Sequence, residues 1–242
     1  MSHPNAEAQK PSGSLMEDLI NIFIKPLAVF EHQRNGSFAI PALIQTLLFA
    51  VLVFALGNLI NPFFEAEVAR GLAQAAKNGQ AMPEGTQATA EKFGRYFALA
   101  FVIISPWFTA LFGGIFGFIA TRIVGLKLSF GQAALVASWA SFPAVLGLLA
   151  MAIRGTMLDP SMIRGATDGQ IGLGMFLDPG TASPALMALA QATDIFSLWA
   201  VILAGIGFSV LARVTLGKGL TAACIKFGIG LLLAVGMAVV RG

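Results

Sequence analysis

AIPALIQTLLFAVLVFALGNLI, residues 39–60, contains no ionisable side chain, and the charge-free run around it extends from Arg34 to Glu65. A helix rising about 1.5 Å per residue needs about 20 apolar residues to cross a hydrocarbon core roughly 30 Å thick. This stretch is long enough by itself. Further gaps of the same kind separate Arg95 from Arg122 and Lys127 from Arg154. The 242-residue chain is 57% hydrophobic and 11% charged, against about 25% charged in soluble domains. Its 27 glycines suit close helix packing in lipid. The class is an all-α polytopic integral membrane protein.

Working outward, the remaining spans fall at about 96–120, 128–153, 195–212 and 219–240, which makes five transmembrane helices. Asn61-Pro62 predicts a stop followed by a new helix start. Beyond it, residues 63–77 read as a short amphipathic helix, 78–85 as a flexible turn and 86–95 as a helical lead into span two. Pro106 and Pro143 predict kinks inside spans two and three. The short connection holding Arg122 and Lys127 makes those spans antiparallel neighbours. Ala110, Gly113 and Gly117 on one face Ala133, Ala137 and Ser141 on the other, at a spacing that lets helix backbones approach. Residues 154–194 form the longest connection and read as a lid, an interfacial segment or a free loop. Within it, Ser183 as N-cap and Pro184 at the first helical position start a long helix that continues as span four. Span five is interrupted by Lys226, which either snorkels to the nearby interface, the favoured reading, or faces protein.

Residues 1–13 are polar, lack the pattern of a cleaved signal peptide and read as a disordered tail. Ser14 and Glu17 form a capping box that starts a helix. Leu15, Leu19, Ile22, Phe23, Pro26, Leu27 and Phe30 recur at helical spacing, with Glu17, Asp18, Asn21 and Lys25 mainly elsewhere on the wheel. Residues 14–35 are therefore expected to form an amphipathic interfacial helix, or one packed on its neighbours, kinked or restarted at Pro26. Residues 36–242 form the five-span domain.

Arg122 with Lys127, and Arg213 with Lys218, sit in short connections without an acid. The positive-inside rule makes that side, and the N-terminus, cytoplasmic. Arg241 and Gly242 then lie outside. The net charge of +3 is spread along the chain, which excludes a nucleic-acid surface. One cysteine, Cys224, and two histidines ahead of the first span, His3 and His32, make no metal site, and no cofactor is expected. Gly207-Phe208-Ser209 lacks the closing glycine and the base of a serine-nucleophile turn. Gly217-Lys218-Gly219 lacks the spacing of a phosphate-binding loop. No enzyme is expected. The candidate functional residues are Lys226, Asp194, Gln132, Pro106 and Pro143. Asp194 would pair with a basic loop residue or cap a helix, Gln132 would hydrogen-bond between helices, and the prolines would kink their helices or frame a passage.

Three elements in order, Pro26-Leu27-Ala28-Val29-Phe30, then Gly125-Leu126-Lys127-Leu128-Ser129-Phe130-Gly131-Gln132 followed by Phe142-Pro143, then Asp194-Ile195-Phe196-Ser197-Leu198-Trp199 with Gly207 and Gly217-Lys218-Gly219, resemble the Yip1 family of five-span membrane proteins in its bacterial branch. The resemblance covers most of the chain and implies the bacterial cytoplasmic membrane. Eukaryotic relatives act in vesicle trafficking, associate with small GTPases and shape membranes. Their long cytoplasmic N-terminal region is reduced here to roughly 35 residues, so that activity is not carried over. The function expected is a non-enzymatic membrane scaffold, adaptor or membrane-organising protein. The alternative is a permease or channel-like transporter for a small solute, an ion or a lipid. Expected partners are the lipid bilayer and, beyond it, other membrane proteins or a second copy of the chain.

Overall fold

The computed structural model describes residues 14–80, 83 and 85–241. The tail expected at residues 1–13 and part of the turn expected at 78–85 lie outside the described residues. All regular structure among the described residues is helical. Two short helices, α1 (Leu15–Ile24) and α2 (Pro26–His32), precede α3 (Ala39–Lys77), α4 (Gln87–Ile123), α5 (Phe130–Ala140) and α6 (Pro143–Met157). A connection with three short 3-10 turns leads to α7 (Pro184–Ala192), α8 (Ile195–Ala212) and α9 (Leu216–Arg241). Five helical units, with α5 and α6 counted as one, are long and apolar enough to cross a membrane.

In the bundle α3 packs on α4 and α6, α4 on α5, α5 on α8, and α9 on α8, α4 and α7. The α5–α6 unit is central, with 56% of its apolar window buried, whereas α9 is peripheral, with 6% buried. Large apolar side chains such as Leu47, Val51, Phe54, Phe97, Leu111 and Leu232 point outward. A belt of this kind is compatible with lipid and not with water.

Pro62 does not stop a helix: α3 runs through it from Ala39 to Lys77. The missing N–H frees one carbonyl, that of Asn58, near the end of the charge-free run, and apolar helix-forming neighbours carry the helix on. Span three does break. α5 ends at Ala140, Ser141 and Phe142 form a turn, and Pro143 opens α6 at its first position, where a missing donor is harmless. The long helix expected from Ser183 is two helices. Ser183 caps α7 as expected, but α7 stops at Ala192 and Asp194 caps a new helix. Its carboxylate accepts from the backbone N–H groups of Phe196 at 2.9 Å and Ser197 at 3.1 Å.

The N-terminal segment differs most from a single surface helix. The Ser14–Glu17 capping box is present, and the chain restarts at Pro26. The restart is so sharp that Asp18 of α1 meets the end of α2. Its carboxylate bonds His32 Nδ1 at 2.7 Å and accepts from Gln33 Nε2 at 2.6 Å. Asp18 is buried although the wheel placed it on the polar side, because these two partners satisfy it. α1 and α2 thus form a helical hairpin laid along α8. Arg34 Nη2 donates to the carbonyl of Val210 at 2.9 Å, and nearer the bend Phe23 meets Trp199 edge-on, with ring centroids 5.7 Å apart. Ile22, Val29 and Phe30 face inward, while Met16, Ile20, Ile24 and Leu27 remain exposed.

Two clusters make the core. One, towards the end with Arg34 and Arg213, joins Ile22, Phe30, Trp139, Phe142, Leu203 and Phe208. The other joins Phe49, Val53, Phe63, Leu148 and Met151 of α3 and α6.

Candidate functional site

Between α3, α4, α6 and α8 lies a cavity of about 370 Å³. Its wall carries Gln45, Ser105, Thr109, Ser141, Gln170, Asp194 and Ser197 among apolar side chains. These polar groups converge because α4 turns Ser105, Pro106 and Thr109 inward and because the α5–α6 break leaves Ser141 facing α3. Gln45, fully buried, answers that break. Its Nε2 donates to the Ser141 carbonyl at 2.9 Å, and the Ser141 hydroxyl lies 2.9 Å from its Oε1. The cavity reaches the loop after α6, where Gln170 and Ile171 line it.

That loop packs against α3, α6 and α7. Arg154 Nε donates to the carbonyl of Asp168 at 2.6 Å, and the buried Asp168 carboxylate accepts from Arg164 N at 2.7 Å and Arg164 Nη2 at 2.8 Å. The hydrogen bond to Asp168 raises the Arg164 pKa above its ordinary value. The Glu67 carboxylate accepts from the backbone N–H of Ala166 at 3.2 Å, and Ile195 N–H donates to the carbonyl of Ile171 at 3.0 Å.

A second cavity of about 290 Å³ lies between α4, α8 and α9, lined by Gly113, Phe116, Val201, Lys226, Phe227 and Leu231 among others. It shares Ser197 and Ala200 with the first. The Lys226 side chain faces Gly113 of α4. A Cβ placed on Gly113 would lie 3.6 Å from its Cε and 3.8 Å from its Nζ, so the side chain crosses towards α4 inside the bundle. Glycine at 113 leaves the room that draws it there.

The candidate residues thus divide. Pro106, Asp194 and Ser141 line the first cavity and Lys226 and Gly113 the second. Pro143 is buried at the start of α6. Gln132 bonds no other helix. It closes a capping box with Ser129, each side chain meeting the other's backbone N–H at 3.0 and 3.2 Å. Ala110, Ala133 and Ala137 are buried, and Gly117 abuts Phe208 as well as Ala133. The tightest approach of α4 to α5 is at Gly114, where a Cβ would lie 2.9 Å from that of Ala134. Sequence reasoning missed Gly114, Gln45 and the Asp18–His32 pair. Gln45 carried a readable signal, an amide inside the charge-free run of span one. Ser209 Oγ donates to Ile206 within its own helix at 2.8 Å. Among the described residues no three His, Cys, Asp or Glu side chains gather to hold a metal ion.

Residues 20–237 match the model of the Yip1 domain. The chain belongs to the Yip1 domain family. No curated protein and no solved structure matches it. In this Yip1 domain the separate sequence elements meet at one point. A Cβ on Gly207 would lie 2.8 Å from Phe30 Cε1 and 2.8 Å from Val136 Cγ1. Phe142 stacks on Trp139 beside them, with centroids 5.1 Å apart. The N-terminal element, the broken third span and α8 are one packing unit around the hairpin, and the Yip1 domain is accordingly a multi-pass membrane protein with an N-terminal hairpin built into its bundle.

Proposed function

We propose that the protein is a non-enzymatic membrane-organising protein whose α1–α2 hairpin acts as a wedge in one leaflet. One observation carries the reading: the hairpin is clasped at its open end by Asp18, His32 and Gln33 and packs along α8 through Phe30 and Phe23, leaving Met16, Ile20, Ile24 and Leu27 exposed. The exposed row suits acyl chains, and the hairpin adds cross-section beside α8 from Trp199 to Val210, with Phe30 and Arg34 at the Gly207–Val210 end. An inclusion wider in one leaflet bends the sheet around it. The basic connections near Arg122 and Arg213 support an orientation with that end at the cytoplasmic face of a bacterial inner membrane and the C-terminus outside. Association with other membrane proteins or with a second copy would add to the same effect.

The test is reconstitution into large liposomes at fixed protein-to-lipid ratio, imaged by electron cryomicroscopy. The full chain is expected to narrow the vesicle diameter or draw tubules. Deletion of residues 14–32, and Asp18→Ala, which opens the clasp, are expected to abolish the effect while the five-span bundle still inserts. Equal vesicle shapes for all three overturn the reading.

A second reading, a permease or channel-like role, is supported by the two cavities that adjoin at Ser197 and Ala200. It predicts flux of a small solute, ion or lipid in the same liposomes, diminished by Lys226→Ala. The absence of any flux refutes it.

A further inference from the structure

Lys226 is the only charged side chain within the five apolar stretches read from the sequence. It lies ten residues into α9, and its neighbour Gly113 lies nine residues ahead of Arg122 on α4. At about 1.5 Å per residue, both lie seven residues, roughly 10 Å, inside the spans read at 219–240 and 96–120, about a third of the way into a hydrocarbon core ~30 Å thick. An ammonium at that depth requires a counter-charge or a wet cavity. The chain supplies no counter-charge: among the described residues Lys226 makes no hydrogen bond or ion pair. The carboxylate of Asp194, which lines the adjoining cavity, is taken up by the N–H groups of Phe196 and Ser197 and by the Ser197 hydroxyl.

The rest of the wall restricts what the ligand can be. Phe116, Val201, Phe227 and Leu231 are apolar, and Ser197 is the other polar side chain among the lining residues. All four apolar side chains are half-buried, so the cavity opens at the surface of the bundle. Its volume, with that of the adjoining one, falls in the ~300–1,000 Å³ range of small-molecule sites. A complement to one positive charge amid hydrocarbon walls is one compact negative charge on a hydrocarbon chain. A two-chain phospholipid fits poorly, because its phosphate is held at the membrane surface by the headgroup. We propose that the cavity between α4, α8 and α9 binds a free fatty acid from the bilayer, its carboxylate on Lys226 and its chain along Phe116, Phe227 and Leu231. This site requires neither membrane shaping nor transport and stands if both of those readings fail.

The structure provides a control that separates charge from space. A Cβ at Gly230, in the cavity wall, meets nothing within 4 Å, so Gly230→Leu fills the cavity without a clash. The experiment is equilibrium binding of tritiated palmitate to the full chain in phosphatidylcholine nanodiscs. Saturable binding near one palmitate per chain is expected. It should weaken at least tenfold in Lys226→Met and in Gly230→Leu, persist in Lys226→Arg, and resist competition by diacyl phosphatidylglycerol. Thermal unfolding of each variant in the same nanodiscs shows that the fold is intact. Equal binding by the wild-type chain and Lys226→Met overturns the proposal, as does the absence of saturable binding. Displacement of palmitate by phosphatidylglycerol at equal concentration overturns the assignment to a fatty acid.

Discussion

The two ends of the bundle are built differently. Towards Arg34 and Arg213, Phe30, Trp139, Phe142 and Phe208 are fully buried in one apolar cluster. Towards Asp194, the side chains of Phe49, Leu148 and Met151 border a cavity of about 370 Å³. Protein interiors are ordinarily close-packed, with few voids larger than a water molecule. The contrast teaches that one end holds the helices together while the other keeps room among them. The hairpin belongs to the packed end, because Phe30 fills the notch that Gly207 leaves in α8.

The comparison breaks most readily at Phe208. Truncation to alanine removes a fully buried ring from the packed cluster, and about 3–5 kcal/mol of stability should be lost. Leu148→Ala, on the cavity wall, should cost less than half as much, since its neighbours already border open space. Both are read by reversible denaturation in mixed micelles. Equal losses would remove the distinction between the ends.

A smaller effect is expected where backbones touch. A Cβ on Gly219 would collide with the carbonyl oxygen of Gly205, so Gly219→Val should destabilise by about 1–3 kcal/mol. Gly230→Leu, facing open space on the same helix, should stay within about 0.5 kcal/mol of the wild-type chain. Thermal unfolding of the purified variants measures both.

Asp194→Ala should cost about 0.5–2 kcal/mol through loss of the α8 cap, and Asp194→Asn, which can still cap, should recover most of it. If both variants kept full stability, Asp194 would owe its place to something other than capping. The smallest effect belongs to the bond that spans the break in α5–α6. The coupling between Gln45→Leu and Ser141→Ala in a double-mutant cycle should be about 0.6 kcal/mol, the average for interhelical hydrogen bonds in a membrane protein.

The five spans were legible because crossing a hydrocarbon core demands a charge-free run of fixed minimum length, and runs such as that around Ala39–Ile60 are read directly. Stops were less legible. Asn61-Pro62 has the composition of a break, yet α3 passes through it. Pro143, also read as a kink, ends one helix and begins another. The two prolines differ in what surrounds them: beside Pro143 a tertiary partner, Gln45, bonds both the Ser141 hydroxyl and the Ser141 carbonyl, which also accepts from Ala144 N–H. That pairing joins residues far apart in the chain, so no local pattern shows it. Asp18 was misplaced for the same reason. A helical wheel assigns a carboxylate to the outside, and only the fold brings His32 and Gln33 to meet it. Lys226 was read by its distance along α9 from the interface. What decides its direction is the space at Gly113 on another helix.

Cysteine accessibility along α8 tests the difference between the two ends most directly. Ala200 borders both cavities, whereas Ser209 is buried and lies closer to a helix end. In a Cys224→Ser background, Ala200→Cys and Ser209→Cys are each treated with a small water-soluble thiol reagent in liposomes. Depth alone makes position 209 the more reactive. A hollow end beside a packed one makes position 200 react faster, and that result is expected. Faster labelling at 209, or no labelling at 200, would contradict the account.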